Sequence, residues 1–451
     1  MRAVVVGGGI AGLYSARTLA MAGHDVVLFE ASDRLGGLIH KASLGGVTFD
    51  IGAEAFAVSR HDSLLLVEDL GLNTQLVEPA NSEARILAGG RFFKIPRGLL
   101  GIPADLEDPD LQTAIGAAAI AEARHLDAQP WQVPDGATLG HLVEARLGGT
   151  VLETLVTPVV AGVHASDPIL LETDVVAPGL MAKARELGSL VSAAAEIRAS
   201  AARPGAAVAS LRGGMHNLIS ALARQLDSLG VDVRLSTPVA AATRAASGYS
   251  VVLAEGETIS ADALVLAAPP SVSSQILGAE PALSEPLGRL RAVDVTVVAL
   301  LAQNRYIGRA PLGSGVLVAP SETRVTAKAS THATAKWEWL HEALGQDMHL
   351  IRLSYGRDGV APKASEELLR IARQDAAALF DLDAVDIIAE VIQEWPSSLI
   401  QARVGHRRAL NELANAQQDF PNLAIVGAGL GGNGITGILA KAKDQLSRIG
   451  D

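Results

Sequence analysis

Residues 1–37 read MRAVVVGGGIAGLYSARTLAMAGHDVVLFEASDRLGG, and this stretch decides the fold. Its apolar run AVVV predicts a buried strand of a parallel sheet and leads directly into Gly7, Gly9 and Gly12 in the spacing G-x-G-x-x-G. Gly7 permits a tight turn, Gly9 lets the backbone approach a phosphate, and Gly12 lets the following helix, residues 10–22, pack closely on the strand. Because the first N–H groups of a helix attract anions, the turn is predicted to bind the pyrophosphate of a dinucleotide.

An acidic residue follows the second predicted strand, residues 25–29. This residue is Glu30, whose carboxylate can accept hydrogen bonds from both ribose hydroxyls and would repel a 2′-phosphate. A glycine motif alone is a weak signal, because a structural turn can look the same. The order of strand, glycines, helix, strand and acid, at a spacing of about 20 residues, favours the dinucleotide.

The residues after Glu30 separate FAD from NAD. They read ASDRLGG, so a basic residue and a second glycine pair come shortly after the acid. This stretch resembles the extended FAD fingerprint of the superfamily that contains amine oxidases, phytoene desaturases and porphyrinogen oxidases. The resemblance implies that Arg34, Gly36 and Gly37 continue the contact along the dinucleotide towards the flavin half. The alternative is an ordinary turn at Gly36 and Gly37.

The composition excludes several classes of protein. The chain has 451 residues, 49% of them hydrophobic and 19% charged, which predicts a globular protein of two or three domains. A net charge of −12 disfavours nucleic acid as a partner. The absence of cysteine excludes disulfides, iron–sulfur clusters and cysteinyl-linked flavin, and the eleven histidines show no metal-binding spacing, so we expect no metal. Because the chain has no apolar run of about 18 residues and no signal-peptide pattern, we expect a cytoplasmic protein.

A second glycine-rich turn lies near the C-terminus. A predicted strand, residues 422–426, leads into Gly427, Gly429 and Gly434, and a predicted helix follows over residues 435–447. A second helix N-terminus, distant in sequence from the first, suits a long cofactor with two polar ends and can stabilise negative charge on a reduced flavin. The segment also resembles the C-terminal motif of the same superfamily.

Several further segments narrow the resemblance. They are GAEAF at residues 52–56 with the basic Arg60 after it, LVEDLGL at 66–72, IPRGLLGIP at 95–103 and LVTPVVAGVH at 155–164. Together they resemble the coproporphyrinogen and protoporphyrinogen oxidases of Gram-positive bacteria, especially the actinobacterial branch. The resemblance implies that Arg60 faces the propionates of a porphyrin and that Gly162 offers its backbone to the pyrrole nitrogens. His164 follows closely, and a lone histidine in an apolar segment is expected to be a packing residue.

A local excess of basic residues stands out in this acidic chain. Residues 81–104 carry four basic side chains against the single acid Glu83, and a hairpin is predicted at Gly89 and Gly90. Such a cluster predicts an anionic partner, and the alternative is a set of solvated charges on hairpin edges. The basic residues are Arg85, Arg91, Lys94 and Arg97.

The predicted fold is α/β, with a discontinuous Rossmann-like FAD-binding domain, an α+β substrate domain and a mostly helical insertion. The predicted bounds are 1–60, 205–268 and 405–451 for the FAD domain, 61–96 and 269–404 for the substrate domain, and 97–204 for the helical domain. The predicted substrate-binding residues are Arg60, Arg85, Arg97 and Gly162. Beyond Gly7, Gly9, Gly12 and Glu30, the predicted cofactor-binding residues are Ile10, Ala11, Ala31, Arg34, Gly36, Gly37, Gly52, Ala53, Glu54, Val239, Trp395, Gly427, Gly429, Gly434 and Ile435.

The resemblance implies an FAD-dependent oxidase of heme biosynthesis. Its reaction removes six electrons from coproporphyrinogen III, reoxidises the flavin with O2 and forms H2O2, without an essential acid or base from the protein. Protoporphyrinogen IX is an alternative substrate. An amine oxidase is a second alternative, but it needs an aromatic cage, and the chain has only seven Phe, four Tyr and four Trp. Trp337 and Trp339 are expected in the core.

Three residues at positions that lie near the cofactor in the family depart from the family pattern. Ile400, Ala402 and Thr436 stand where the family has proline, tyrosine and proline, and they support a third alternative, a non-catalytic FAD-binding protein. The family also includes peripheral membrane members, so Leu99 and Leu100 are candidate bilayer contacts. A downstream enzyme of the heme pathway is a candidate partner.

Overall fold

The computed structural model describes residues 1–58, 60–80, 83–201, 207–357, 360–383 and 385–450. The strands are β1 (Arg2–Val6), β2 (Asp25–Phe29), β3 (Lys41–Leu44), β4 (Val47–Asp50), β5 (Phe56–Ala57), β6 (Leu76–Val77), β7 (Arg85–Ala88), β8 (Arg91–Lys94), β9 (Gly98–Leu99), β10 (Ile102–Pro103), β11 (Val208–Leu211), β12 (Asp232–Arg234), β13 (Val239–Arg244), β14 (Tyr249–Leu253), β15 (Thr258–Ala261), β16 (Ala263–Leu266), β17 (Ala292–Gln303), β18 (Gly315–Val318), β19 (Ala329–His332), β20 (Met348–Tyr355), β21 (Asp386–Ile400) and β22 (Leu423–Ile425).

The α-helices are α1 (Ile10–Met21), α2 (Asp62–Asp69), α3 (Pro109–Asp127), α4 (Leu139–Leu147), α5 (Gly149–Val151), α6 (Thr157–His164), α7 (Thr173–Val176), α8 (Leu180–Leu187), α9 (Leu190–Ala201), α10 (His216–Ser228), α11 (Pro270–Ile276), α12 (Pro281–Gly288), α13 (Ala333–Lys336), α14 (Glu338–Leu344), α15 (Glu366–Leu379), α16 (His406–Ala416) and α17 (Ile435–Leu446). A π-helical segment, Leu152–Val156, joins α5 to α6. No α-helix within the described ranges is both long and apolar enough to cross a membrane.

A five-stranded parallel sheet forms the nucleotide-binding part. Its order is β12-β2-β1-β16-β22, and every neighbouring pair is parallel. Helices α1, α10 and α17 cover one face. The three-stranded antiparallel sheet β13-β14-β15 covers the other face together with α11, α12 and α16. A parallel sheet covered on both faces needs continuously apolar strands, which is why β1 and β16 are apolar throughout their buried residues. The strands come from three separated stretches of the chain, so the predicted discontinuous α/β fold is confirmed.

The observed packing differs from the predicted domain bounds at two places. Helix α2 packs into the core beside α1 and α17, although residues 61–96 were assigned to the substrate domain. Helices α11 and α12 likewise pack on the parallel sheet rather than on the substrate sheet. Amphipathic helices show in sequence which face is buried but not which sheet buries it. The predicted boundary at residues 204 and 205 lies outside the described residues.

A seven-stranded mixed sheet forms the second part, in the order β21-β17-β20-β19-β18-β7-β8. One face packs on α15. The other face packs on β3, β4 and α14 around Trp337, Trp339 and Trp395, so the prediction that Trp337 and Trp339 lie in the core is confirmed. Strand β21 is 15 residues long, and its last residue, Ile400, is buried in a core of the parallel sheet. This strand therefore runs from the substrate sheet to the nucleotide-binding part.

Helices α3 to α9 form the third part. Their core includes Ile86 and Phe93 of the β7–β8 hairpin, so the helices rest on one end of the mixed sheet. The hairpin turns at Gly89 and Gly90, whose positive φ values of +56° and +74° suit the predicted two-residue turn. Leu99 and Leu100, the candidate bilayer contacts, are half-buried and pack against this helical core.

Candidate cofactor cleft and active site

The turn after β1 has the geometry that its glycines predicted. Gly7 has a φ of +105°, and a Cβ there would lie 2.8 Å from the carbonyl oxygen of Ala267. A Cβ at Gly12 would lie 1.8 Å from the carbonyl oxygen of Gly7, so only glycine lets α1 approach this closely. Within the described ranges no side chain caps α1, and no atom lies within 4 Å of the Cβ position at Gly9. The first N–H groups of α1 are therefore available to phosphate oxygens.

The Glu30 carboxylate is held at the end of β2. Its Oε2 accepts a hydrogen bond from the Gly8 N–H at 2.6 Å. Its Oε1 accepts from the Ser32 N–H at 2.8 Å and from the Ser32 hydroxyl at 2.7 Å. These bonds fix the carboxylate beside the phosphate turn, where it lines the cleft. This is the position that a ribose-binding acid needs.

A cleft of about 530 Å³ starts at this turn and runs between the two sheets. Its wall is mostly apolar, as expected for a site that buries an aromatic cofactor. The wall also contains segments around Leu38, Thr237 and residues 396–398, which carry no sequence motif that predicts a cofactor contact. The predicted cofactor residues that line the cleft are Gly7, Gly9, Ile10, Ala11, Glu30, Ala31, Arg34, Gly36, Gly37, Ala53, Val239, Trp395, Gly427 and Ile435.

Five predicted cofactor residues do not line the cleft: Gly12, Gly52, Glu54, Gly429 and Gly434. Three of the glycines act through close packing, because a Cβ at Gly52 would lie 1.9 Å from the carbonyl oxygen of Leu38, and the equivalent contacts at Gly12 and Gly429 are also too short. Gly434 precedes the first residue of α17. Among these five residues, only Glu54 has a side chain that is bound by other residues, as described below.

Arg34 and Trp395 contact each other in the wall of the cleft. The guanidinium carbon of Arg34 lies 5.9 Å from the centre of the Trp395 ring, and the ring of His40 meets the same indole edge-on at 6.1 Å. Burial lowers the pKa of Arg34 and also that of His40. The Trp395 Nε1–H is buried and has no hydrogen-bond partner among the described residues. This nitrogen is shielded by protein atoms although the cleft is open, so the fit of the cleft to a dinucleotide depends on the phosphate turn and Glu30.

Asn433 joins the C-terminal glycine turn to the end of β21. Its Nδ2 donates to the Ile400 carbonyl oxygen at 2.8 Å, and its Oδ1 accepts from the Ile400 N–H at 3.2 Å. Gly429 lies against the Ile400 side chain, since a Cβ there would be 2.6 Å from Cγ2. We call Ile400 and Asn433 the clamp. The family proline at position 400 has no N–H, so this departure adds a hydrogen bond that proline cannot make.

Thr436, another departure, is also used by the structure. Its hydroxyl donates to the Ala57 carbonyl oxygen at 2.7 Å and lies 2.7 Å from the Ser63 hydroxyl. These contacts fix the start of α17 on β5 and α2. At the third departure, the Ala402 carbonyl oxygen accepts a hydrogen bond from the Glu172 N–H at 2.8 Å.

Glu54 lies in a buried ion network that we call the Glu54 network: Glu54, Lys336 and Arg352. The Lys336 ammonium and the Arg352 guanidinium each donate to the Glu54 carboxylate at 2.6 Å. Burial alone would raise the pKa of the Glu54 carboxyl, but the two cations outweigh it and hold the pKa at about 2. The Glu54 side chain is therefore bound by cations of α13 and β20 and does not line the cleft, and its contact with the cofactor stays a prediction.

The predicted basic cluster divides between surfaces. Strand pairing sets Arg85 opposite Lys94 and Ala88 opposite Arg91, so Arg91 points to the other face from Arg85. Arg97 lies in a separate cavity with one further cation, Arg198, and with four acids: Asp105, Glu107, Asp108 and Asp110. An acidic setting disfavours a carboxylate ligand, so the structure contradicts a single anion site built from all four basic residues.

The other two predicted substrate residues lie on separate elements. Arg60 is exposed, with 61% of its side chain accessible, and its Nε lies 3.3 Å from Asp62. Gly162 lies on α6 against the mixed sheet, where a Cβ would be 2.5 Å from Cδ2 of Leu317. His164 is half-buried and burial lowers its pKa, which agrees with a packing role. No metal-binding group of histidines and acids occurs among the described residues.

Comparison with known proteins gives a consistent result. Residues 10–435 match the family model of flavin containing amine oxidoreductases. The coproporphyrinogen III oxidase of Mycobacterium leprae is 32% identical over 99% of this chain and 97% of its own length. The enzyme of the same name from Staphylococcus aureus is 27% identical over 99% and 98%. A solved structure from Exiguobacterium sp. 255-15, provisionally described as a protoporphyrinogen oxidase, has a TM-score of 0.85 and 26% identity over 99% and 98%.

Proposed function

Because the chain belongs to the flavin containing amine oxidoreductase family, with FAD as its cofactor, we propose that it oxidises coproporphyrinogen III to coproporphyrin III in heme biosynthesis. The observation that carries the proposal is the similarity to coproporphyrinogen III oxidases along nearly the whole of both chains. The cleft supports it, because its phosphate turn and Glu30 fit the dinucleotide of FAD.

The proposed reaction removes six electrons and six protons from the macrocycle in three equal rounds. In each round a hydride leaves a bridging carbon and a proton leaves the macrocycle. Over the three rounds two of these protons come from pyrrole nitrogens and the third comes from the fourth bridging carbon, so the ring system becomes fully conjugated. FAD supplies the hydride acceptor. We propose O2 as the oxidant, so that three O2 take up the six electrons and six protons as three H2O2.

The protein's part in this reaction is mainly to bind and orient the macrocycle. Aromatisation provides the driving force, so no side chain has to act as a strong acid or base. We propose that Arg60 and Arg85 bind propionates and that the Gly162 backbone faces the pyrrole nitrogens. Arg97 is a weaker candidate because four carboxylates line its cavity. The porphyrin product then passes to a later enzyme of the heme pathway.

The positions of the aromatic residues do not favour amine oxidation. An aromatic cage for an amine needs several Trp or Tyr rings at one site. Trp337 and Trp339 are buried in a core, and Trp131 lies between Arg146 and Arg185 in the helical part. Among the described residues, Trp395 is the single Trp or Tyr that lines the cleft.

The test is aerobic turnover of the FAD-loaded protein on coproporphyrinogen III and protoporphyrinogen IX side by side. Porphyrin fluorescence and H2O2 are both measured, and three H2O2 are expected per porphyrin. A higher kcat/KM for the substrate with four carboxylates supports the proposal. A higher kcat/KM for protoporphyrinogen IX would identify that compound as the substrate instead. If the protein holds reducible FAD but turns over neither compound, the proposal is overturned.

A further inference from the structure

The Glu54 network lies directly behind the wall of the cofactor cleft. The Arg352 Nη2 donates to the carbonyl oxygen of Gly52 at 2.7 Å and to that of Ile51 at 3.3 Å. The next residue, Ala53, lines the cleft, and its N–H donates to Leu38 O at 2.9 Å. The network therefore contacts the peptide that forms the wall, on the side away from the cleft.

This wall is also where the substrate sheet meets the cleft. Lys336 and Arg352 belong to α13 and β20, which are both part of the substrate domain. A Cβ at Gly52 would lie 3.1 Å from the ring of Trp395, so the wall segment is held between the network and this cleft-lining indole. A shift of the substrate sheet would change the position of residues 51–54 through these contacts.

The network carries an excess of positive charge. It contains two cations and one carboxylate, and all three side chains are at least four-fifths buried, with exposures of 16% for Glu54, 19% for Lys336 and 11% for Arg352. Opposite charges compensate in pairs, so about one positive charge is left over within the network. The buried Asp50 carboxylate lines the same small cavity, but it accepts its hydrogen bonds from the N–H groups of Met215 and His216 at the start of α10. Charges in a partly dry site act over longer distances than charges in water. A flavin gains negative charge when it is reduced, and a nearby cation favours that state.

We propose that the Glu54 network holds the Gly52–Ala53 backbone in place against FAD and that its excess positive charge raises the reduction potential of the bound cofactor. Lys336, Arg352 and Glu54 are then positioning residues, since none of them lines the cleft. The proposal needs FAD in the cleft, but it does not depend on which substrate is oxidised.

The test measures the midpoint potential of FAD bound to variants in which one charge of the Glu54 network is removed or kept. Lys336→Met removes a positive charge and is expected to lower the potential. Glu54→Gln removes a negative charge and is expected to raise it. Each shift should be on the order of tenfold in the equilibrium between oxidised and reduced forms, about 30 mV for a two-electron couple. The double variant restores the net charge and should return close to the wild-type potential.

Two controls separate charge from structure. Lys336→Arg keeps the charge and should keep the potential, even where altered geometry weakens FAD binding. Lys363 is also paired with a glutamate of the substrate domain, Glu394, but 75% of its side chain is exposed, so Lys363→Met should leave the potential unchanged.

The outcomes distinguish the proposal from a purely structural role. Loss of packing alone would shift the midpoint potentials of both single variants in the same direction, or would lower only their affinity for FAD. Either result overturns the proposal. If Glu54→Gln does not fold, Lys336→Met and Lys336→Arg still differ only in charge, and equal potentials for the two would also overturn it. The potential is measured without porphyrinogen, so its result is independent of the turnover test.

Discussion

Replacing Asn433 with alanine should weaken FAD binding about 30-fold and leave the protein folded. The side chain makes the two hydrogen bonds of the clamp, at 2.8 Å and 3.2 Å, and both clamp residues line the cleft. A hydrogen bond of this kind contributes about 1 kcal/mol net, so the loss of both costs about 2 kcal/mol. Our hypothesis is that FAD binding has to restore the order that the clamp gives to the cleft, so that this cost appears in the FAD affinity. At about 1.4 kcal/mol for each factor of ten, it then gives the expected change in Kd.

A double-mutant cycle tests whether Asn433 acts through Ile400. Ile400→Pro removes only the N–H of the pair, so it should cost about 1 kcal/mol beyond its loss of packing. Ile400→Val keeps the N–H and measures the packing contribution, about 0.5–1.5 kcal/mol. In the Asn433→Ala background, Ile400→Pro should cost less, with a coupling energy of about 1 kcal/mol.

The assay is titration of the apoprotein with FAD, followed by the quenching of flavin fluorescence. Thermal unfolding of each apoprotein shows whether the variants fold. A Kd for Asn433→Ala within threefold of the wild type would show that the clamp does not order the cleft. Costs for Asn433→Ala and Ile400→Pro that add completely would show that Asn433 binds FAD independently of Ile400.

Three further predictions follow. Arg60→Ala should raise KM for coproporphyrinogen III up to about fivefold, the effect of losing an exposed ion pair, with little change in kcat. The control Arg97→Ala should change neither constant. An unchanged KM in Arg60→Ala would show that Arg60 does not bind the substrate. Gly12→Ala should abolish FAD binding, because its Cβ would lie 1.8 Å from a carbonyl oxygen, and a normal flavin spectrum in the purified variant would contradict this. Burial lowers the pKa of His332 to about 3, so the unfolded chain takes up a proton near pH 6.5 while the folded protein resists it. The contribution of His332 to the free energy of unfolding is then fully present above pH 6.5, and it falls by up to about 1.4 kcal/mol per pH unit as the pH drops towards 3. His332→Asn should flatten denaturant-measured stability between pH 6.5 and 5, and an unchanged slope would contradict the assignment.

The nucleotide-binding part could be predicted from local sequence. Gly7 has the positive φ of its tight turn, Gly12 lies against the backbone of Gly7, and β1 must be apolar because both faces of its sheet are covered. These requirements act over a short stretch of chain, so they leave a pattern that can be read in a single sequence. The resemblance then supplied the identity of the cofactor, which spacing alone left open.

The direction of the Glu54 side chain could not be predicted in this way. Its partners Lys336 and Arg352 lie 282 and 298 residues away in sequence, and only the folded arrangement brings them to one carboxylate. The positions of Arg85 and Arg91 on opposite faces, in contrast, could have been derived from the sequence. A two-residue turn at Gly89 and Gly90 pairs Ala88 with Arg91, which already places that arginine on the opposite face from Arg85.

The segment after β21 explains how the chain tolerates its departures from the family pattern. At positions 400 and 402 the contacts described above are made by backbone groups, the N–H and carbonyl of Ile400 and the carbonyl of Ala402. Between them Gln401 is 1% exposed and donates from Nε2 to the Ala165 carbonyl oxygen at 2.6 Å, directly after α6. One short segment thus holds the glycine turn on one side and the helix of Gly162 on the other. The carbonyl bonds of Ile400 and Ala402 do not depend on their side chains, so they can persist when these residues change, whereas the N–H bond at 400 requires a residue other than proline.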